Sequence, residues 1–316
     1  MTVVSVRKIW DGAPHCAFTD LARFKGRWFC VFRESEAHAG SLGKVRVLES
    51  ADGTKWKSAA RIDEPDVDLR DPKLSLTPGG RLMLLMGGTT REGRRPRVVF
   101  SDDGRLWTPP RQILGDGDWL WRVTWFRSHA YGVSYRIHGP RRWSVALYES
   151  SDGIEYRRIC RLGVPGKPNE ATVRFLPGGK GIALVRREGG DGAAWIGQSS
   201  PPYSKWKWHS SGMRVGGPNF LVGPGDLMWA ACRHYAGGHS EESTVISRMD
   251  GTALLPSLTL PSGGDCGYPG MAWYHGLLWV SYYSSHEGKA SIYLARVRQA
   301  ESPILRPPAA RPAGRS

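Results

Sequence analysis

Four arginines recur at one point of a repeated pattern. Arg33, Arg136, Arg186 and Arg233 close the alternating apolar runs RWFCVFR, HAYGVSYR, GIALVR and LMWAACR, each of which reads as the second strand of a hairpin. A guanidinium is a planar fork of donors that can hold both oxygens of a carboxylate at once. Four of them in register point to an anion-binding mouth, and Arg70, ahead of the run that begins DPKLSL, can join them. His15, Asp20, Asp265, Tyr283, His286 and Glu287 are further polar residues at the inferred mouth.

The elements that carry these arginines are strands. The stretch SADGTKW at 50–56 returns as SDDGRLW at 101–107 and SSDGIEY at 150–156, with degenerate copies starting at Ser199 and Ser247, roughly one every fifty residues. Such a period with short strands inside it implies a β-propeller, each repeat being one four-stranded blade. Six hairpins carry Gly or Pro turns: LARFKGRWFCVF, LSLTPGGRLMLLM, VTWFRSHAYGVSY, VRFLPGGKGIALV, LVGPGDLMWAAC and MAWYHGLLWVSYY. The first five are followed by a third strand, the marked turn and a fourth strand. The sixth is followed only by ASIYLARV, so TVVSVRKIW at the N-terminus is expected to supply the missing strand and close the ring, removing an exposed edge. The expected architecture is all-β, a six-bladed β-propeller of four-stranded antiparallel blades over residues 1–300, with a disordered Pro- and Arg-rich tail at 301–316. In the SxDGxxW turn the Ser and Asp can accept backbone hydrogen bonds and the Gly can take positive φ, so the turn is read as structural.

Composition narrows the function classes. The 316 residues are 40% hydrophobic, and no stretch approaches the ~18 apolar residues of a membrane span. The N-terminus lacks the apolar segment of a secretory signal, so a cytoplasmic location is expected. Five cysteines without CxxC spacing indicate neither a disulfide framework nor a zinc cage. The net charge of +15 attracts anions, but the basic residues are dispersed and no nucleic-acid-binding motif is present, so no nucleic acid partner is expected. Histidines at 15, 38, 234, 239, 275 and 286 show no ligand spacing such as HxxxH joined to a carboxylate, and neither a metal nor another cofactor is expected. The cluster WLWRVTW, opening blade 3, could provide a sugar-stacking platform.

SxDGxxW on a six-bladed plan resembles the Asp-box of the sialidase superfamily, and the resemblance covers about residues 1–300. PNEATVRFLPGGKGIALVRRE is similar to the sialidase segment in which a glutamate opens an inner strand and an arginine ends the next, which are Glu170 and Arg186 here. CGYPGMAWYHGLLWVSYY resembles the segment of the nucleophilic tyrosine, which makes it Tyr268, and DLRDPKLSLTPGGRLMLL resembles the blade 2 inner strand, with Asp71 at the mouth. The chain departs from the family in blade 1, where Ala17 in AFTDL stands in place of an arginine.

The resemblance implies an exo-acting glycoside hydrolase for sialic acid or a related acidic sugar. Sialic acid carries a carboxylate on its anomeric carbon, which repels a carboxylate nucleophile and leaves room for a neutral tyrosine. A phenol needs a neighbouring base, here Glu170, and an acid must protonate the departing oxygen. That acid is open among Glu34, Glu36 and His38 in the loop FRESEAHAGSLGK, with Asp71 and Asp20 as further candidates. Two other readings stay open on the same residues: a non-catalytic glycan-binding propeller, and a lyase acting on uronate-containing polymers. The substrate partner is an acidic carbohydrate in each; the oligomeric state is unknown.

Overall fold

The computed structural model describes residues 1–236 and 241–299; His239 and the tail at 301–316 lie outside them. Blade 1 consists of His15–Phe24, Arg27–Ser35, Lys44–Ser50 and Lys57–Ile62, from the inside outward. Blade 2 is Asp68–Leu76, Leu82–Thr89, Arg94–Ser101 and Arg111–Gln112, and blade 3 is Trp119–Phe126, His129–Ile137, Trp143–Ser150 and Arg157–Arg161. Blade 4 begins with Pro168–Phe175, Gly181–Arg187 and Ala193–Ser199. Its outer strand runs on without a break as Lys207–Val222 to become the inner strand of blade 5, which adds Met228–Tyr235, Glu242–Met249 and Leu254–Thr259. These two blades, expected as separate sheets, therefore form one sheet of seven strands.

Blade 6 is Cys266–Tyr274, Leu277–Ser284 and Ser291–Arg298, completed by Thr2–Trp10, which pairs antiparallel with Ser291–Arg298 as the sequence leads one to expect. The inner strands pack in a circle, each against the next, and that of blade 6 packs back against that of blade 1. The last contact is tight. A Cβ on Gly270 would lie 2.2 Å from the Leu21 nitrogen, so the two backbones meet there without side chains between them.

Alternation explains what fills the spaces between blades. Val31, Val45 and Val47 of blade 1 face Leu82, Leu84 and Met86 of blade 2, and all are buried. Val133, Val145 and Leu147 of blade 3 likewise face Val173 and Val185 of blade 4. Each such side chain contributes roughly 1.5–3 kcal/mol on leaving water.

The recurring turns tie the rim. In all three full copies the Ser Oγ accepts from the Gly N–H, at 2.9, 2.7 and 2.9 Å for Ser50, Ser101 and Ser150, and the Asp Oδ1 accepts from the two amides that follow the Gly. The Gly residues sit at φ near +77° and close on the preceding blade: a Cβ on Gly104 would meet the Phe29 ring at 2.2 Å. The turn thus works in folding, far from the axis.

Candidate active site

All six inner strands slip register once, at the same level. The breaks fall between Ala17 and Asp20, Arg70 and Lys73, Leu120 and Val123, Pro168 and Ala171, Gly216 and Asn219, and Gly267 and Gly270. A bulge leaves a residue out of the ladder and re-aims its side chain. Each break leaves two inner-strand residues without a ladder partner, and among them are Phe18, Asp71, Trp121, Glu170, Gly217 and Tyr268, Glu170 being the second of its pair and the others the first. Phe18, Asp71, Gly217 and Tyr268 have φ of 63°, 49°, 57° and 50°, left-handed backbone that non-glycine residues adopt only where the surroundings hold them.

Two of these meet directly. The Tyr268 hydroxyl donates to Glu170 Oε1 at 2.8 Å, and Arg186 Nη1 donates to both Glu170 Oε2 at 2.8 Å and the Tyr268 oxygen at 3.0 Å. The Gly217 N–H completes the cradle, reaching Glu170 Oε2 at 2.7 Å. Gly217 must be glycine for a second reason, since a Cβ there would stand 2.5 Å from the Tyr268 ring. Burial raises the Glu170 pKa, but Arg186, with the hydrogen bonds from Tyr268 and Gly217, overcomes it and holds the carboxyl below its ordinary value. Burial and the facing Glu170 charge push the Tyr268 phenol well above its ordinary value. At neutral pH the pair is a neutral phenol donating to a carboxylate.

Asp71 is the opposite case. Its carboxyl is partly buried, makes no hydrogen bond or ion pair among the described residues, and titrates above its ordinary value because burial and Glu170 outweigh Lys73 and Arg70. Two carboxyls of one pit are thus driven apart, one toward base and one toward acid. Lys73, just past the bulge, lies under the pit with its Nζ 4.8 Å from the Trp121 ring, and burial brings it down to about 8.

Three arginines border the pair. Arg186 also holds Glu188 at 2.5 Å and donates to the Tyr235 hydroxyl at 3.4 Å. Arg233 places its guanidinium 5.3 Å from the Tyr268 ring centre, and donates to Asp265 Oδ1 at 2.9 Å and to the Tyr283 hydroxyl at 2.5 Å. Arg70 gives Nη1 to Asp68 at 3.3 Å and lies 5.0 Å from the Phe18 ring, with Nε and Nη2 outside any hydrogen bond among the described residues. Asp265 also accepts from Tyr283 at 2.6 Å and engages His15 and His38 at 2.8 and 2.7 Å.

Other residues singled out from the sequence are placed elsewhere. Arg33 is fully buried: Nε bonds Asp68 at 2.8 Å, Nη1 bonds Ser35 and the Ala37 carbonyl, and Nη2 bonds the Ser41 carbonyl. It ties blade 1 to blade 2 as Arg233 ties blade 5 to blade 6, and no donor remains for a ligand. The sequence alignment of arginines is one residue off in blade 4, where Arg187 pairs with Pro168 at the level at which Arg33 pairs with Ala17. Arg187 is therefore the structural counterpart of Arg33, and Arg186, on the other face of the strand, turns to the axis. Arg136 lies two residues beyond that level and is locked to Asp118 by two bonds of 2.9 and 2.5 Å.

Asp20 is 1% exposed and is held by Arg122 and the Leu74 amide, each at 2.7 Å. Glu34, on the face opposite Arg33, accepts from Trp10 at 2.7 Å and Arg46 at 2.9 Å, while Glu36 is exposed on the following loop. Glu287 pairs with Lys8 of the outermost strand of blade 6. Trp119 and Trp121 are buried and offer no open face for stacking.

Replacing Arg33 with Ala leaves Asp68 with only the Gly43 amide and Arg70, and removes a donor from the Ala37 and Ser41 carbonyls. The expected cost is about 3–5 kcal/mol of stability, as for one partner lost from a buried pair, read as a fall in the urea midpoint.

The sequence reading missed Glu188, Tyr235, Gly217 and Phe18. Period-two alternation could have found the first two, which stand two residues beyond Arg186 and Arg233, Tyr235 within its strand and Glu188 one residue past the end of Gly181–Arg187. Nothing local marks a bulge at Gly217 or Phe18.

No protein-family model matches the chain, and no curated protein matches it by sequence. Solved structures do. A protein of unknown function from Dyadobacter fermentans superposes with a TM-score of 0.81 at 19% identity, covering 93% of this chain and 98% of that one. The GH93 α-L-arabinofuranosidase of Fusarium graminearum, solved with arabinobiose, gives 0.73 at 15% identity over 94% of this chain and 98% of its own. Trypanosoma rangeli sialidase, solved with sialic acid, gives 0.73 at 14% identity over 94% of this chain and 57% of its own. By its fold, the chain is a six-bladed β-propeller, the architecture it shares with these glycosidase structures.

Proposed function

We propose that the protein is a retaining exo-glycosidase that removes a terminal acidic sugar, sialic acid or a relative. The observation that carries this is the 2.8 Å hydrogen bond from the Tyr268 hydroxyl to Glu170, with Arg186 holding both. In the first step the Tyr268 oxygen bonds to the anomeric carbon while Glu170 takes the phenolic proton and the glycosidic oxygen leaves with a proton from Asp71. In the second, water attacks the anomeric carbon, Asp71 takes the water's proton, and the Tyr268 oxygen leaves and recovers its own proton from Glu170.

The acidic class of sugar is supported by Arg70, Arg186 and Arg233 around the phenol, and by the neutrality of that phenol toward a substrate carboxylate. The Asp-box reading of the SxDGxxW turns fits the same assignment. A binding module without catalysis gives no reason for Tyr268 and Glu170 to meet at hydrogen-bond distance.

A panel of fluorogenic sialosides, uronides and arabinosides tests the reading. At least one is expected to be hydrolysed, with an acidic sugar preferred. If none turns over faster with wild type than with Tyr268→Phe, the assignment fails, and an absorbance rise from an unsaturated product would reassign the site to a lyase.

A further inference from the structure

Beside the nucleophile pair, three segments far apart in sequence bring metal-ligating atoms together. His15 opens the inner strand of blade 1, His38 lies on the loop after that blade's second strand, and Asp265 precedes the inner strand of blade 6. His15 Nε2 is 2.8 Å and His38 Nδ1 is 2.7 Å from the same oxygen, Asp265 Oδ2, and the three ligand atoms lie within 4.8 Å of one another. The geometry points to a divalent transition-metal site formed by His15 Nε2, His38 Nδ1 and Asp265 Oδ2, of the class that takes Zn2+. This inference does not depend on the glycosidase assignment.

The donor set suits such an ion, since two imidazoles and one carboxylate leave a fourth position of a tetrahedral centre open. The carboxylate is also oriented as a ligand should be. Its other oxygen accepts from Tyr283 at 2.6 Å and from Arg233 at 2.9 Å, which pins the group with Oδ2 facing both imidazoles. His15 is nine-tenths buried and, among the described residues, has no partner for Nδ1, so its side chain is engaged there only through the nitrogen aimed into the cluster. The Arg233 charge is shared with Glu242, 3.3 Å away, which reduces its repulsion of an incoming cation.

Metal–nitrogen bonds of about 2.0–2.1 Å set tetrahedral ligand atoms about 3.3 Å apart. The two N···O edges must therefore lengthen by about half an ångström, and His38, on a loop and half exposed, is the member free to move. The ring of Phe18 lies beside the cluster, its centre 5.2 Å from that of His38 and 5.0 Å from that of Tyr268. A cation here would supply positive charge on the blade 1 side of the mouth, where Arg33 is fully spent and Ala17 offers none.

The test is metal uptake by the full-length protein. Chelator-stripped protein is titrated with Zn2+ against a chromophoric chelator, and with Co2+ alone while its visible d–d absorption is followed. Wild type should take up about one ion per chain with tetrahedral Co2+ bands, and His38→Ala should weaken uptake by at least about 100-fold. His129→Ala, which removes an exposed hairpin histidine, should leave uptake unchanged. His15→Ala should match His38→Ala; because His15 is buried, thermal melting is recorded for both, and His38→Ala decides if His15→Ala does not fold. Wild type retaining no more metal than His38→Ala, or His38→Ala behaving as His129→Ala does, overturns the site.

Discussion

Tyr268→Phe should abolish turnover while leaving the protein folded. The change removes one oxygen and no packing volume, so kcat/KM is expected to fall by at least about 10^3-fold, all of it attributable to the lost nucleophile. Stability should fall by only about 1–3 kcal/mol, because Glu170 loses one donor and keeps two, from Arg186 and Gly217. Steady-state kinetics and a melting curve on the same preparation separate the two effects. A variant that loses activity only because it has unfolded would show it in the melt.

Asp71→Asn should give the second largest effect, one that depends on the leaving group. An amide cannot supply the proton, so kcat/KM for a sugar with a poor alkoxide leaving group is expected to fall by about 10^2–10^4-fold. Aryl glycosides, whose phenols leave without help, should be affected much less in the first step. The pH profile carries the same information. Glu170 must be ionised, and because its pKa is held below the ordinary value, activity is lost only as pH falls below the usual carboxylate range. Asp71 must be protonated, and because burial and the Glu170 charge raise its pKa, activity persists past the ordinary value and is lost as pH rises through the raised one. Asp71→Asn should erase that alkaline limb and spare the acid limb; rates measured across pH with aryl and alkyl glycosides check both statements.

The fold was legible because it is written in repeated local signals. The SxDGxxW turn recurs at a near-constant interval, six hairpins announce themselves by Gly and Pro, and a missing fourth strand in the last repeat points to Thr2–Trp10 as its replacement. Local signals also explain the one departure in architecture. Lys207–Val222 reads as two strands because each half pairs with a different blade, yet the backbone joins them through a bulge at residues 211–213, with Gly212 at φ 71°, inside one continuous strand.

The arrangement of the candidate site was legible for Tyr268 and Glu170, whose neighbourhoods brought them forward as a pair and which meet at 2.8 Å. It was misread where one residue of register decides the face. Arg186 and Arg187 are adjacent and chemically identical, but one meets Glu170 while the other bonds the Pro165 carbonyl and Asp191. Arg33 looked like an anion ligand because its strand end lies at the right level; its donors are consumed by Asp68 and a loop whose course the sequence does not reveal. The cluster of His38 with Asp265 joins residues 227 positions apart, beyond the reach of any spacing rule.

The central claim is that a phenol oxygen on blade 6 forms the covalent bond to the sugar. The most direct measurement uses a fluorinated glycosyl fluoride of whichever sugar is hydrolysed, which slows breakdown of the intermediate, followed by peptic digestion and mass spectrometry. The account predicts a peptide spanning Tyr268 that carries the mass of the fluorosugar, with fragment ions placing it on the tyrosine. A label on Glu170 or Asp71, or complete turnover of the reagent by an enzyme that never becomes labelled, would contradict it.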